Sequence, residues 1–178
     1  MNNNQQISQF TIHGSSGLKV PVDQWIDWVL TYQNKIGYTQ ENGYGLGKIT
    51  YHSWYLGDDF IQMPAESWPF YCRLLPDASG FICFEKDYKP NNCLLLDPYG
   101  KERMRLTVPW QMTGATQPEA GLAPTSFDNV SEPCTNPATG EVGKFGVSAH
   151  IGNGIDSKFY FELDWTTGQF LWCRQIRD

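Results

Sequence analysis

Between Lys158 and Ile176 the chain runs Lys-Phe-Tyr-Phe-Glu-Leu-Asp-Trp-Thr-Thr-Gly-Gln-Phe-Leu-Trp-Cys-Arg-Gln-Ile, two aromatic-rich segments around Asp164-x-x-x-Gly168. Aromatic side chains fit a pleated, half-buried surface. An Asp side chain can bond the amides of the turn that follows it, and glycine takes the positive φ that closes the turn. The stretch is therefore expected to be a β-hairpin. The same punctuation returns at Asp77-Ala-Ser-Gly80, Asp97-Pro-Tyr-Gly100 and Asn136-Pro-Ala-Thr-Gly140. A chain that folds back on itself by one device so often is built from neighbouring antiparallel strands.

The remaining pattern agrees. Ile7 to Ile12 reads as a first strand, broken by His13-Gly-Ser-Ser-Gly17. Strand patterns then follow at Lys48–Leu56, Asp59–Met63, Trp68–Leu75, Phe81–Lys86, Cys93–Leu96 and Lys101–Val108. In the last, Met104, Leu106 and Val108 alternate with Arg103, Arg105 and Thr107, as a strand with one wet face requires. Lys144 to Ile151 alternates again, and the final hairpin brings the expected count to about nine or ten strands. One helix is expected, from Pro21 to Gly37, because Trp25, Trp28, Val29, Tyr32 and Ile36 recur at three- and four-residue intervals, with Asp23 as N-cap and Gly37 as stop. Pro109 to Gly143 has no period and is expected to be a long ordered loop lying over the domain, anchored by Trp110, Met112, Leu122 and Phe127. Residues 1–6 read as a disordered tail and 7–178 as a single β-rich domain.

A meander of this kind must hide its two sheet edges, and closure into an up-and-down barrel of about eight to ten strands does so. A two-sheet β-sandwich is the alternative architecture. Phe161-Glu-Leu-Asp164-Trp-Thr-Thr-Gly168-Gln-Phe-Leu-Trp172 resembles the Asp-x-x-Thr-Gly-x-x-x-Trp signature of quinoprotein-type β-propeller repeats, and Leu94 to Lys101 is similar to hairpins of other propeller families. Propeller blades repeat at a steady ~40–50 residues. Gly80, Gly100, Gly140 and Gly168 stand 20, 40 and 28 residues apart, so the resemblance implies turn chemistry and no quinone or other cofactor.

Composition narrows the function classes. A net charge of −6 argues against a nucleic-acid backbone as main partner, and the Lys101, Arg103, Arg105 cluster fits a solvated strand face. No apolar run approaches the ~20 residues of a spanning helix, and the first residues lack the regions of a secretory signal, so no membrane partner and a cytoplasmic location are expected. The five cysteines include no Cys-x-x-Cys pair and are expected to be reduced thiols, four of them within apolar strand patterns.

Motifs for catalysis are sparse. Gly14-Ser-Ser-Gly17 is one residue short of a nucleophile elbow, and His13, His52 and His150 stand at no metal-ligand interval. No metal and no cofactor are expected. Aromatic residues make up 15% of the chain, and Trp54, Tyr55, Trp68, Tyr71, Tyr99 and Trp110 exceed what one face of a small core absorbs, because tryptophan is rarely fully buried and seeks a partner for its N–H. His52, Trp54, Trp68, Tyr71, Trp110 and His150 are therefore the candidate ligand-binding residues of an aromatic-lined barrel interior or mouth. The first expectation is a non-catalytic protein that binds a small apolar or ring-shaped molecule. The alternatives are a protein-interaction module of the immunity or adaptor type, or an enzyme with His52 or His150 as acid/base.

Overall fold

A computed structural model describes residues 6–21, 48–67, 71–87, 89–114, 125–152 and 158–176. The protein is mainly β, with antiparallel sheets. Twelve strands are formed among the described residues: β1 (Ile7–Gly14), β2 (Lys19–Pro21), β3 (Ile49–Leu56), β4 (Asp59–Pro64), β5 (Tyr71–Leu74), β6 (Phe81–Phe84), β7 (Cys93–Leu96), β8 (Glu102–Leu106), β9 (Ser126–Ser131), β10 (Gly146–His150), β11 (Lys158–Asp164) and β12 (Gln169–Gln175). They make three four-stranded sheets, ordered β2-β1-β3-β4, β5-β6-β7-β8 and β12-β11-β10-β9. Among the described strands no sheet closes into a barrel. The helix expected over Pro21–Gly37 lies, after Pro21, outside the described residues.

The turn device with a left-handed glycine forms at three of the four places expected of it. In the last hairpin the Gly168 amide donates to the Asp164 carbonyl at 2.7 Å, with φ of 73° at Gly168. The Asp164 carboxylate accepts from the Thr166 and Thr167 hydroxyls and from their amides, which lowers its pKa to about 2. Gly100 and Gly140 are also left-handed, at 78° each. Asp97 Oδ1 accepts from the Tyr99 amide, and Asn136 Oδ1 from that of Ala138. At Asp77-Ala-Ser-Gly80 the positive φ, 53°, falls on Ala78 instead of glycine. The Ala78 carbonyl accepts from the Ile7 amide at 2.9 Å, so a tertiary bond holds a backbone conformation that alanine disfavours.

Two sequence readings are corrected. Pro109–Gly143 is not strandless: it contains β9, which pairs with β10 through Ser126↔His150, Phe127↔Ala149, Asn129↔Ser148 and Val130↔Val147. The pairing shifts register between Ser148 and Ala149, and that bulge breaks the alternation a sequence reading depends on. Cys72 and Cys83 are not reduced thiols but a disulfide; Cys72 lies on β5 and Cys83 on β6, its neighbour in the sheet. Cys93, Cys134 and Cys173 are free.

The chain divides into two compact units, the first of residues 1–69, 73–81 and 97–101, the second of 70–72, 82–96 and 102–178. In the first, Phe10, Trp54 and Phe81 are wholly buried. Their rings pack edge-on or tilted, with centroids 5.0–6.0 Å apart, the favoured geometry for aromatic quadrupoles. In the second, Phe127 and Phe161 both pack on Phe170 with centroids 5.8 Å apart, and Val147, Ala149, Tyr160 and Leu163 fill the core. All four residues of β6 and of β7 are buried, which marks strands covered on both faces. Buried Asn92 bonds both backbone groups of Phe127 at 2.9 Å, so one side-chain amide stands in for a strand partner. Arg105 is held by Glu85 and Glu102 and is no free basic patch.

Candidate functional site

Two of the six residues expected to line a site are brought together. His52 and Trp54 alternate onto one face of β3 and both meet Phe10: the His52 ring stacks at 5.8 Å and Trp54 packs edge-on at 6.0 Å. Trp54 is fully buried and donates its Nε1–H to the Pro98 carbonyl at 2.9 Å. Burial, with the neighbouring His13 second, lowers the pKa of His52 to about 4, so the ring is neutral near pH 7. Trp68 lies outside the described residues; Tyr71 opens β5, and its side chain is outside them too. Trp110 begins a 3-10 turn, Trp110–Thr113, where its carbonyl accepts from the Thr113 hydroxyl at 2.6 Å. His150 ends β10 opposite Lys158. Both belong to the second unit, whereas His52 and Trp54 belong to the first.

The opposite face of β3 carries groups that the sequence reading did not join. His13 Nε2 and Ser53 Oγ are 2.8 Å apart and both residues are buried, with His13 stacked on Tyr51 at 4.0 Å. A serine beside a histidine is the beginning of a nucleophile–base pair. Among the hydrogen bonds of the described residues, however, no carboxylate orients the imidazole, and burial followed by Lys19 lowers its pKa. Farther along this face, Tyr55 and Phe60 stand directly opposite each other across β3 and β4, with ring centroids 5.2 Å apart. They are 36% and 55% exposed. The signal for this pair was present in the sequence: Tyr55 is one residue out of phase with buried Trp54, and Phe60 mirrors it across the two-residue turn Gly57-Asp58.

Within the hairpin itself the charge has one sign. Residues 49–67 contain Asp58, Asp59 and Glu66, all exposed, and no lysine or arginine. An exposed aromatic pair next to the turn carboxylates of Asp58 and Asp59 is the chemistry of a contact surface for a cationic partner.

A second cluster is polar but closed. Glu162 is buried; its Oε1 accepts from the Lys144 and Phe145 amides at 2.6 and 3.3 Å, and its Oε2 accepts the Tyr160 hydroxyl. Burial first, and this hydrogen bond second, push the Tyr160 pKa well up. Its acceptors are taken by the chain's own groups, so the cluster fastens the loop before β10 to β11. No group of three or more His, Cys, Asp or Glu suited to a metal ion occurs among the described residues. No helix of the described residues is long and apolar enough to cross a membrane.

No protein-family model matches the sequence, and no curated protein matches it either. A chain of a solved structure described as "Structure of Tne2 in complex with Tni2" is similar in fold: it aligns over 96% of this chain and 99% of that one, with a TM-score of 0.54 and 13% sequence identity. Likeness at that identity is a likeness of fold.

Proposed function

We propose that this protein is an interaction module that binds another protein through the β3–β4 hairpin. The observation that carries this reading is the solvent-facing Tyr55–Phe60 pair next to the exposed turn residues Asp58 and Asp59. Large exposed aromatics supply contact area with little side-chain entropy to lose, and surrounding charges set orientation and on-rate. The structure similar in fold is itself that of a two-protein complex, which supports the same class of function. The expected binding of a small molecule by His52 and Trp54 draws less support, because both rings pack on Phe10 and the Trp54 N–H is bonded to Pro98. The Cys72–Cys83 disulfide favours an oxidising compartment over the expected cytoplasm.

Native mass spectrometry of the protein isolated from its own source tests the reading. A stoichiometric protein partner is expected, and the reconstituted complex should weaken on Tyr55→Ser or Phe60→Ser by about thirtyfold, the effect of losing one hot-spot contact. A retained small molecule without a protein partner, or full affinity in both variants, would refute it.

A further inference from the structure

The way a partner engages this hairpin can be read from the β4 backbone. β4 is the last strand of its sheet among the described residues, and it joins β3 through the turn Gly57-Asp58. Gly57 has a φ of 62°, and Asp58 is not among the positive-φ residues, the pattern of a type II′ turn. In a two-residue hairpin the closing pair, here Leu56↔Asp59, exchanges both backbone hydrogen bonds, and pairs alternate from there without a register shift. Trp54↔Ile61 and His52↔Met63 are then hydrogen-bonded pairs, while Phe60, Gln62 and Pro64 turn their backbone groups away from β3. Phe60 and Gln62 each present an outward N–H and C=O; Pro64 presents a carbonyl alone. Neither Phe60 nor Gln62 makes a backbone bond outside the ladder among the described residues. The same three side chains are exposed.

An edge of this kind is a template for strand addition unless it is blunted. The usual safeguards are a lysine on the edge, an inward charge or a bulge. None of them occurs in β4: its one charged residue is the acidic Asp59, at the turn end, and the pairing with β3 is regular. Among the described residues only Pro64 limits the edge, and it sets the far end of what can be paired.

We propose that the partner adds an extended, lysine- or arginine-bearing strand to β4, pairing with the backbone of Phe60 and Gln62. Its cationic side chains would reach Asp58, Asp59 and the Tyr55–Phe60 rings. Charge complementarity selects this occupant, since Asp58 and Asp59 stand at the turn end of the exposed edge and residues 49–67 hold no lysine or arginine. The inference rests on the reading of the protein as an interaction module and specifies how that module binds.

The test uses the full chain and three capped eight-residue peptides. One alternates valine with lysine and threonine, the second replaces lysine with glutamate, and the third is the lysine peptide N-methylated along one edge. The lysine peptide should bind by calorimetry and slow hydrogen exchange at the Phe60 and Gln62 amides. Glutamate replacement and N-methylation should each weaken binding at least about tenfold. Gln62→Pro should abolish binding with an unchanged far-ultraviolet spectrum, because the lost N–H points away from β3. Equal binding of the N-methylated peptide, or of the Gln62→Pro variant, would overturn strand addition and leave the interaction reading intact. So would absence of binding by the lysine peptide at millimolar concentration. Native mass spectrometry tests the interaction reading independently.

Discussion

Acidification should destabilise this protein through His52 in a calculable way. The folded pKa is lowered from 6.5 to about 4, first by burial and second by His13. The unfolded chain takes up the proton as pH falls through 6.5, whereas the folded chain takes it up only near 4. Over that window the unfolded state holds more protons, so stability drops as pH falls. At ~1.4 kcal/mol per unit the shift from 6.5 to about 4 is worth ~3.5 kcal/mol in full, of which the linkage relation gives ~3 kcal/mol lost by about pH 4 and ~2 kcal/mol by about pH 5. That is a large share of the 5–15 kcal/mol that separates typical domains from their unfolded state, roughly speaking. His13 adds in the same direction, since its pKa is also lowered. Urea denaturation followed by tryptophan fluorescence at about pH 7.5 and about pH 5 measures the loss, and the same pair of curves for His52→Gln isolates the histidine. The wild-type protein should lose ~2 kcal/mol more than the variant between the two conditions. Equal losses in both would show that His52 is protonated in the folded protein and that its environment has been misread.

Other perturbations follow from backbone and packing. Gly146→Ala would set a Cβ 2.3 Å from the Tyr160 ring, wedging β10 away from β11, and should cost about 2–3 kcal/mol in denaturant unfolding. Gly168→Val meets both a left-handed backbone at 73° and Met104 Sδ at 1.9 Å, so a loss above ~1 kcal/mol is expected, and an unchanged melting temperature would refute the turn assignment. Intact mass measured without and with reductant should rise by about two hydrogens for the Cys72–Cys83 bridge, and reduction should lower stability by about 3 kcal/mol for a loop of this length.

The hairpin punctuation was legible because its signals are local. Asp97, Asn136 and Asp164 bond amides two residues on, and glycines three or four residues on take the positive φ, all within a window of five residues. Strands β3, β4 and β8 were read nearly to their ends for a similar reason. The division into three sheets was not legible, because Asp-x-x-Gly turns specify that strands pair and leave open how many pair before a sheet ends. β9 escaped because its register shift interrupts the alternation, and the disulfide escaped because pairing depends on which strands become neighbours. Of the expected site, the burial of Trp54 follows from its apolar face. The exposure of Tyr55 follows from being one residue out of phase, a contrast that counting aromatics along the chain does not register.

The clasp formed by Glu162 has a practical reading. Because its oxygens seize the Lys144 and Phe145 amides and the Tyr160 hydroxyl, the chain is anchored immediately after the Asn136–Gly140 turn, whose base is bridged by Thr135 and Val142. Whatever is built into that exposed tip, a fluorophore or a grafted epitope, is mechanically decoupled from the hydrophobic interior behind it. The molecule thus offers an attachment point far along the sequence from the hairpin at which it is expected to meet its partner.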